Sequence, residues 1–241
     1  MLYLIGLGLN KYGISSEGLE TAKKCKKLYL ETYTVDFNYG VGDLERLIGK
    51  PIALADRTLV EGCSIVDEAK KKDVALLIYG SPLTATTHIT LIQEAIACGV
   101  KYKVIYAGSV FDGVAETGLQ FYKFGKVASM PEWKKSFEPT SFMEIVKENQ
   151  SIGAHSLILI DIGLDFDYAF KQLKKSIQIE KVKVENLVVC QNLGSKHSKI
   201  FYGSLEDFEE FNGVRKPYCI IIPEKMHFVE EEMLETYRRK G

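Results

Sequence analysis

The residues best placed to do chemistry in this chain are small ones at the ends of apolar runs. Ile5-Gly6-Leu7-Gly8-Leu9 closes the first run, Gly80-Ser81-Pro82-Leu83-Thr84-Ala85-Thr86-Thr87-His88 follows Ala75 to Tyr79, and Ala107-Gly108-Ser109-Val110 follows Lys103 to Tyr106. Glycine at a strand end lets the backbone turn tightly and approach a ligand with no side chain in between. Serine and threonine add hydroxyls that both donate and accept. The dinucleotide fingerprint G-x-G-x-x-G fails at the first turn, where Lys11 holds the third glycine position, and no GK[ST] follows. In the second turn the hydroxyls either serve a polar ligand or, through Thr86 or Thr87, cap a helix beginning near His88. If the three strands are parallel, all three turns leave one edge of the sheet and line a single crevice. That pattern points to a small-molecule site.

Nothing in the chain resembles a catalytic engine. His88, His155, His197 and His227 are scattered, and neither a G-x-S-x-G elbow nor an H-E-x-x-H pair is present. No residue is assigned a proton-transfer role, and no metal is expected. The five cysteines, Cys25, Cys63, Cys98, Cys190 and Cys219, are odd in number, far apart and never in C-x-x-C spacing, which argues against a disulfide framework and a zinc site. Asp56-Arg57 reads as a salt-bridged turn or as part of a substrate surface. Lys23 to Lys27 and Lys70 to Lys72 are basic runs at helix ends, where cations face the helix dipole favourably.

The elements that must carry these turns alternate strand and helix. Leu2 to Gly6, Leu28 to Tyr33, Val74 to Tyr79 and Lys103 to Ala107 read as strands, with helices at Glu17 to Lys26 and Thr87 to Cys98. ALLIY and KVIYA are apolar on both faces, as strands between two helix layers must be, so a mostly parallel sheet is expected. From about Val127 the pattern changes. A loop with Pro131, Trp133 and Pro139 precedes a helix near Thr140 to Asn149, a strand at Ser156 to Ile162, and further strands at Asn186 to Cys190, Lys199 to Gly203 and Tyr218 to Ile222. Helices separate these strands less regularly, and Lys199 to Tyr202 is expected to pair locally, so this sheet should be mixed. The expectation is two α/β domains, 1–122 and 123–241, with the join between Gly118 and Met130.

The 241 residues are 46% hydrophobic and 26% charged, the balance of an ordinary globular protein. The formal net charge of −1, from 31 basic and 32 acidic residues, gives no global field for nucleic acid or an anionic membrane. MLYLIGLGLN lacks the positive segment and cleavage site of a signal peptide, and no apolar run approaches the roughly 20 residues that span a bilayer. A cytoplasmic location is expected.

Together the separate turns resemble one family. MLYLIGLGL, Ile14-Ser15-Ser16-Glu17-Gly18-Leu19 and Tyr29-Leu30-Glu31-Thr32-Tyr33-Thr34 are closely similar to the opening of diphthine synthases. So are Ala55-Asp56-Arg57, Ala85-Thr86-Thr87-His88, Thr117-Gly118-Leu119-Gln120-Phe121-Tyr122-Lys123-Phe124-Gly125 and Leu159-Ile160-Asp161-Ile162, an ordered match over nearly all of 1–162. The resemblance implies the tetrapyrrole methylase fold, with S-adenosylmethionine in the cleft between two α/β domains and usually a homodimer. It implies methylation of the amino group of the 3-amino-3-carboxypropyl-histidine of translation elongation factor 2 to give diphthine, a step of diphthamide biosynthesis, with S-adenosylhomocysteine as the other product. Family members add three methyls or a fourth as an ester, and the short chain points to the trimethylating type.

By the same resemblance, Leu9, Ser81, Thr84, Ser109, Val110 and Ile160 should contact the cofactor, with Leu193 in Gln191-Asn192-Leu193-Gly194. A position the family fills with histidine falls at Tyr218 or Cys219. The usual second turn is Gly-Asp-Pro, whereas this chain has Gly80-Ser81-Pro82, and Ala107-Gly108-Ser109 stands where Asn-Ala-Ser is usual. Loss of the aspartate removes a carboxylate acceptor, leaving the Ser81 hydroxyl and the backbone N–H groups. Lys123 to Lys126 is either a docking surface for the protein substrate or solvated surface. The alternatives are another methyltransferase of the same fold, against which ATTH and GLQFYKFGK speak, and a catalytically silent module that binds elongation factor 2, which Ser81 favours.

Overall fold

The computed structural model describes residues 1–62, 64–211 and 213–239, so Cys63 lies outside the described residues. The chain forms two compact units, Met1–Gly113 and Val114–Gly241.

The first unit holds strands β1 (Leu2–Gly6), β2 (Lys27–Glu31), β3 (Ala53–Ala55), β4 (Val74–Ile78) and β5 (Tyr102–Ile105). They form one sheet in the order β3-β2-β4-β1-β5, with every pairing parallel. Its helices are α1 (Ser16–Lys24), α2 (Val41–Ile48), α3 (Arg57–Glu61), α4 (Ser64–Ala69), α5 (Ile89–Ala97) and the single turn α6 (Val110–Gly113). Alternation along β4 explains the layering. Leu76 and Ile78 pack with Val60, Ile65, Val66, Leu91 and Ile92 from α3, α4 and α5, while Ala75 and Leu77 pack with Ala22, Leu44 and Ile48 from α1 and α2. All five residues of β4 are buried, as a central strand covered on both faces requires. KVIYA behaves otherwise. It supplies β5 at the sheet edge, where Tyr102, Lys103 and Tyr106 are exposed and Ile105 is buried.

The second unit holds β6 (Ala128–Met130), β7 (Ser156–Ile160), β8 (Asn186–Gln191), β9 (Lys199–Ser204) and β10 (Tyr218–Ile222), with helices α7 (Ser141–Ser151), α8 (Phe166–Glu180) and α9 (Phe228–Glu235). The order is β6-β7-β10-β8-β9, with β6 parallel to β7 and the other neighbours antiparallel. As expected, β9 pairs locally with β8. Phe142, Met143 and Val146 of α7 and Phe166, Phe170 and Leu173 of α8 pack on Ile158, Val189 and Ile220 of the sheet. No described helix is long and apolar enough to cross a membrane.

One polar network in this unit centres on two fully buried residues, Glu230 and His155. Glu230 of α9 accepts from the Gln120 N–H at 2.8 Å, the His227 N–H at 2.7 Å and His155 Nε2 at 3.2 Å, and pairs with Lys123. The Glu224 N–H donates to His155 Nδ1 at 2.9 Å, so Nε2 carries the ring proton. Burial alone would raise the Glu230 pKa, but these donors outweigh it and hold the carboxyl at about 2. Within Lys123 to Lys126, Lys123 serves this network, while Lys126 is exposed and pairs with Glu148 at the surface. Glu230→Gln should cost about 1–3 kcal/mol in urea unfolding, because the buried acceptor of four donors loses its charge and the partly exposed Lys123 its counter-ion. The wild-type contribution of Glu230 should be present above about pH 4.5 and be lost as pH falls towards 2, a slope the variant lacks.

Candidate active site

Strands β4, β1 and β5 are adjacent and parallel, so the three glycine turns leave one edge of the first sheet side by side. They also bond to one another. The Gly8 N–H donates to Gly80 O at 3.2 Å and the Gly80 N–H to Gly8 O at 3.0 Å, while the Leu7 N–H reaches Ile78 O at 2.8 Å. Gly8 and Gly80 have φ of +68° and +70°, a region glycine adopts without strain. Gly6 is required for a different reason. A Cβ there would lie 2.7 Å from Gly80 O and 2.9 Å from the Ala107 Cβ, so only glycine admits the second and third turns this close. Gly80 packs at ordinary contact distance on the third turn, where an added Cβ would meet Ser109 Cα at 3.8 Å, whereas Gly108 is exposed and an added Cβ there would find nothing nearer than Asp112 Oδ2 at 4.0 Å.

Each turn is held by side chains around it. The Leu9 carbonyl accepts from the Tyr79 hydroxyl at 2.9 Å, and Tyr79 packs edge-on to Phe37, with ring centroids 5.3 Å apart, and stacks on Tyr39. In the second turn the Thr84 N–H donates to Ser81 O at 3.1 Å. Thr86 does not cap the following helix, and neither does Thr87. The Thr86 hydroxyl donates to Pro82 O at 2.9 Å, and the N-cap of α5 is His88, whose ring turns back to place Nδ1 3.2 Å from the same carbonyl. In the third turn the Ser109 N–H and hydroxyl donate to Asp112 Oδ2 at 2.6 and 3.0 Å, which starts α6 next to Val110. Ser81 and Ser109 are buried, whereas Leu9, Thr84 and Val110 are partly exposed.

His88 belongs to a buried cluster at the end of β2 that sequence reasoning missed. Its Nε2 lies 3.5 Å from the Tyr33 hydroxyl. Glu31, buried at the strand end, accepts from the N–H groups of Tyr33 and Thr34 at 2.5 and 2.7 Å and from the Thr34 hydroxyl at 2.6 Å. Burial pushes the His88 pKa below its ordinary value against the upward pull of Glu31, the Pro82 carbonyl and Glu61, so the ring is neutral, with Nδ1–H on Pro82 O. Burial, with Glu31 and Glu61, raises the Tyr33 phenol to about 12. Arg57 lies over the Tyr33 ring at 5.3 Å and pairs with Glu61 at 3.8 Å. Asp56 and Arg57 do not form the expected salt-bridged turn; instead Asp56 caps α3 by accepting from the Leu59 N–H at 2.8 Å. Glu31 bonds within three residues of itself, but no local sequence signal marks Tyr33 or His88, whose contacts join the end of β2 to α3 and the second turn.

The remaining expected residues lie at one edge of the second sheet. Ile160 ends β7, Leu193 follows β8, and Tyr218 and Cys219 begin the antiparallel β10, with Asn192 N–H on Pro217 O at 2.8 Å joining two of these segments. The Tyr218 ring points into the core, where its hydroxyl donates to Leu164 O at 3.0 Å and it packs edge-on to Phe166. Cys219 faces the other way, opposite Cys190. The hydrogen bond that the Cys190 thiol donates to Cys219, together with burial, raises the Cys190 pKa.

A five-stranded parallel sheet whose glycine turns converge, followed by a five-stranded mixed sheet, is the architecture of tetrapyrrole-methylase-fold methyltransferases. A solved diphthine synthase superposes with a TM-score of 0.90 at 28% identity, over 98% of this chain and 95% of that one. The diphthine synthase of Methanocaldococcus jannaschii is 36% identical, with 98% of each chain covered. The diphthine methyl ester synthase of Schizosaccharomyces pombe is 33% identical, over 98% of this chain and 94% of the relative. No family model matches. The chain belongs to the diphthine synthase family of S-adenosylmethionine-dependent methyltransferases in diphthamide biosynthesis.

If His88 holds the second turn, His88→Asn, which keeps a donor for Pro82 O, should retain more stability in urea unfolding than His88→Ala, whose loss should be about 1–3 kcal/mol. A histidine whose pKa falls on folding binds its proton more readily unfolded, so stability should drop as pH falls below 6.5 towards the folded value. That part of the wild-type slope should be missing in both variants, leaving the contribution of His155.

Proposed function

We propose that this chain binds S-adenosylmethionine against the three glycine turns and methylates the amino group of the modified histidine of elongation factor 2 to form diphthine, acting as a cytoplasmic homodimer. The observation that carries this reading is the convergence of the turns. Gly8 and Gly80 lock two of them together, and the third packs on Gly80 through Ser109. The groups these turns carry fit the donor: hydroxyls at Ser81, Thr84 and Ser109, the Leu9 backbone and a carboxylate at Asp112 are what an adenosine carrying an amino acid requires. Ile160, Leu193 and Tyr218 or Cys219 are proposed as further cofactor contacts. With its phenol committed to Leu164, Tyr218 would contribute through its backbone.

S-adenosylmethionine supplies a methyl on a cationic sulfur, already activated as a leaving group, so the chain needs neither a metal nor a covalent intermediate for transfer. Its residues act by holding the donor in line with the amine. Positioning at about 3–3.5 Å can supply roughly 7–11 kcal/mol of the barrier. His88, neutral and turned onto Pro82, fixes the shape of the second turn and is not presented as a base. The acceptor amine must lose a proton before each attack, and bulk water takes it.

Calorimetric titration of the purified protein with S-adenosylmethionine should show binding. A Ser109→Trp variant, folded by circular dichroism, should bind at least about tenfold more weakly, because Ser109 is buried close to Gly80 and an indole there pushes the second and third turns apart. Mass spectrometry of elongation factor 2 carrying the unmethylated precursor should then show methylation by the parent protein alone. Failure of the folded parent to bind at millimolar ligand would replace the enzyme reading with the silent binding module that Ser81 in place of aspartate favours.

A further inference from the structure

The second turn of this chain has Ser81 where a carboxylate is usual, yet a carboxylate stands on the neighbouring turn. Asp112 is exposed and hydrogen-bonds through Oδ2 to the Ser109 N–H and hydroxyl. Oδ1 takes no part in those bonds, and among the described residues no lysine or arginine forms an ion pair with Asp112. The third turn also approaches the second: a Cβ on Gly80 would sit 3.8 Å from Ser109 Cα and 4.0 Å from Ser109 Cβ, and one on Gly108 would sit 4.0 Å from Asp112 Oδ2 itself. Asp112 thus places a negative charge, with no basic partner among the described residues, on the exposed side of the third turn beside Gly108 and close to Gly80.

We infer that Asp112 is a specificity-determining residue, whose carboxylate favours the cationic methyl donor over the neutral thioether product at the three-turn site. This rests on the S-adenosylmethionine reading above. With its sulfonium, ammonium and carboxylate, the donor carries a net charge of +1, and the spent cofactor carries none. A fixed anion near the sulfur or the ammonium attracts both ligands through the ammonium, but only the donor through the sulfonium. Its removal therefore weakens donor binding more than product binding. Asp112 also restores to the crevice a charge that Ser81 does not supply, from a position two strands away in the sheet order and adjacent in space.

The competing role is purely structural. Asp112, within α6, reaches back to the N–H and hydroxyl of Ser109, the residue before that helix, and a brace of that kind would affect both ligands alike. Asp112→Asn separates the two, since its amide oxygen can still accept from Ser109 while the charge is gone. Calorimetry on the full chain with S-adenosylmethionine and, separately, S-adenosylhomocysteine should show the variant losing about three- to tenfold in donor affinity and less than about twofold in product affinity, as one exposed charge at a few ångströms predicts. Raising the salt concentration should shrink the gap between wild type and variant for the donor. An equal change for both ligands, or none for either, would overturn the inference while leaving the cofactor site in place. Failure of the wild type to bind either ligand would overturn the cofactor reading, and this inference with it.

Discussion

The first unit depends on how closely its backbone turns approach. Gly6 has β4's turn on one side and β5's turn on the other, and a methyl group there would sit 2.7 Å from Gly80 O. With that position bare, Gly8 and Gly80 can pair across the strand ends, each donating to the other. The pairing satisfies four backbone groups that would otherwise need water, at the point where the sheet stops and its ladder can no longer serve them. Every residue expected to touch a ligand in this unit is placed relative to that clasp.

Around the clasp the polar groups are committed in layers. Ser109 is oriented by Asp112, the Leu9 carbonyl by Tyr79, and Pro82 by Thr86 and His88. His88 in turn leans on Tyr33, next to the buried Glu31. Glu31 and His88 are among the least exposed polar residues of the chain. Such a shell suits chemistry that works by orientation. Methyl transfer from sulfur asks for a rigid seat more than for an acid or base, and the scattered histidines are consistent with that: His88 and His155 are buried and neutral parts of the framework.

Much of this was legible in the sequence. The apolar runs placed β1, β4, β7, β8, β9 and β10, and the glycines at three strand ends marked the turns. The failures share a cause. KVIYA looked like a buried strand because its composition is apolar, but edge or centre is decided by strand order, which no local pattern encodes. Thr86 and Thr87 looked like caps because a hydroxyl before a helix usually is one, until Pro82 O took the Thr86 hydroxyl. Lys123 looked like surface until Glu230, more than a hundred residues away, paired with it.

By itself, then, the sequence determined the two α/β units, the parallel and mixed sheets, and the positions of the glycine turns, because periodicity and conformational freedom act over a few neighbouring residues. Its ordered resemblance over most of the first two-thirds of the chain determined the family. Only the tertiary structure decided which turns bond to each other, that Asp56 caps while Arg57 covers Tyr33, that the Tyr218 phenol is spent on Leu164, and that a carboxylate at Asp112 stands beside the turn lacking one. Those outcomes depend on contacts between residues far apart in the chain, and such contacts exist only once the strand order is set.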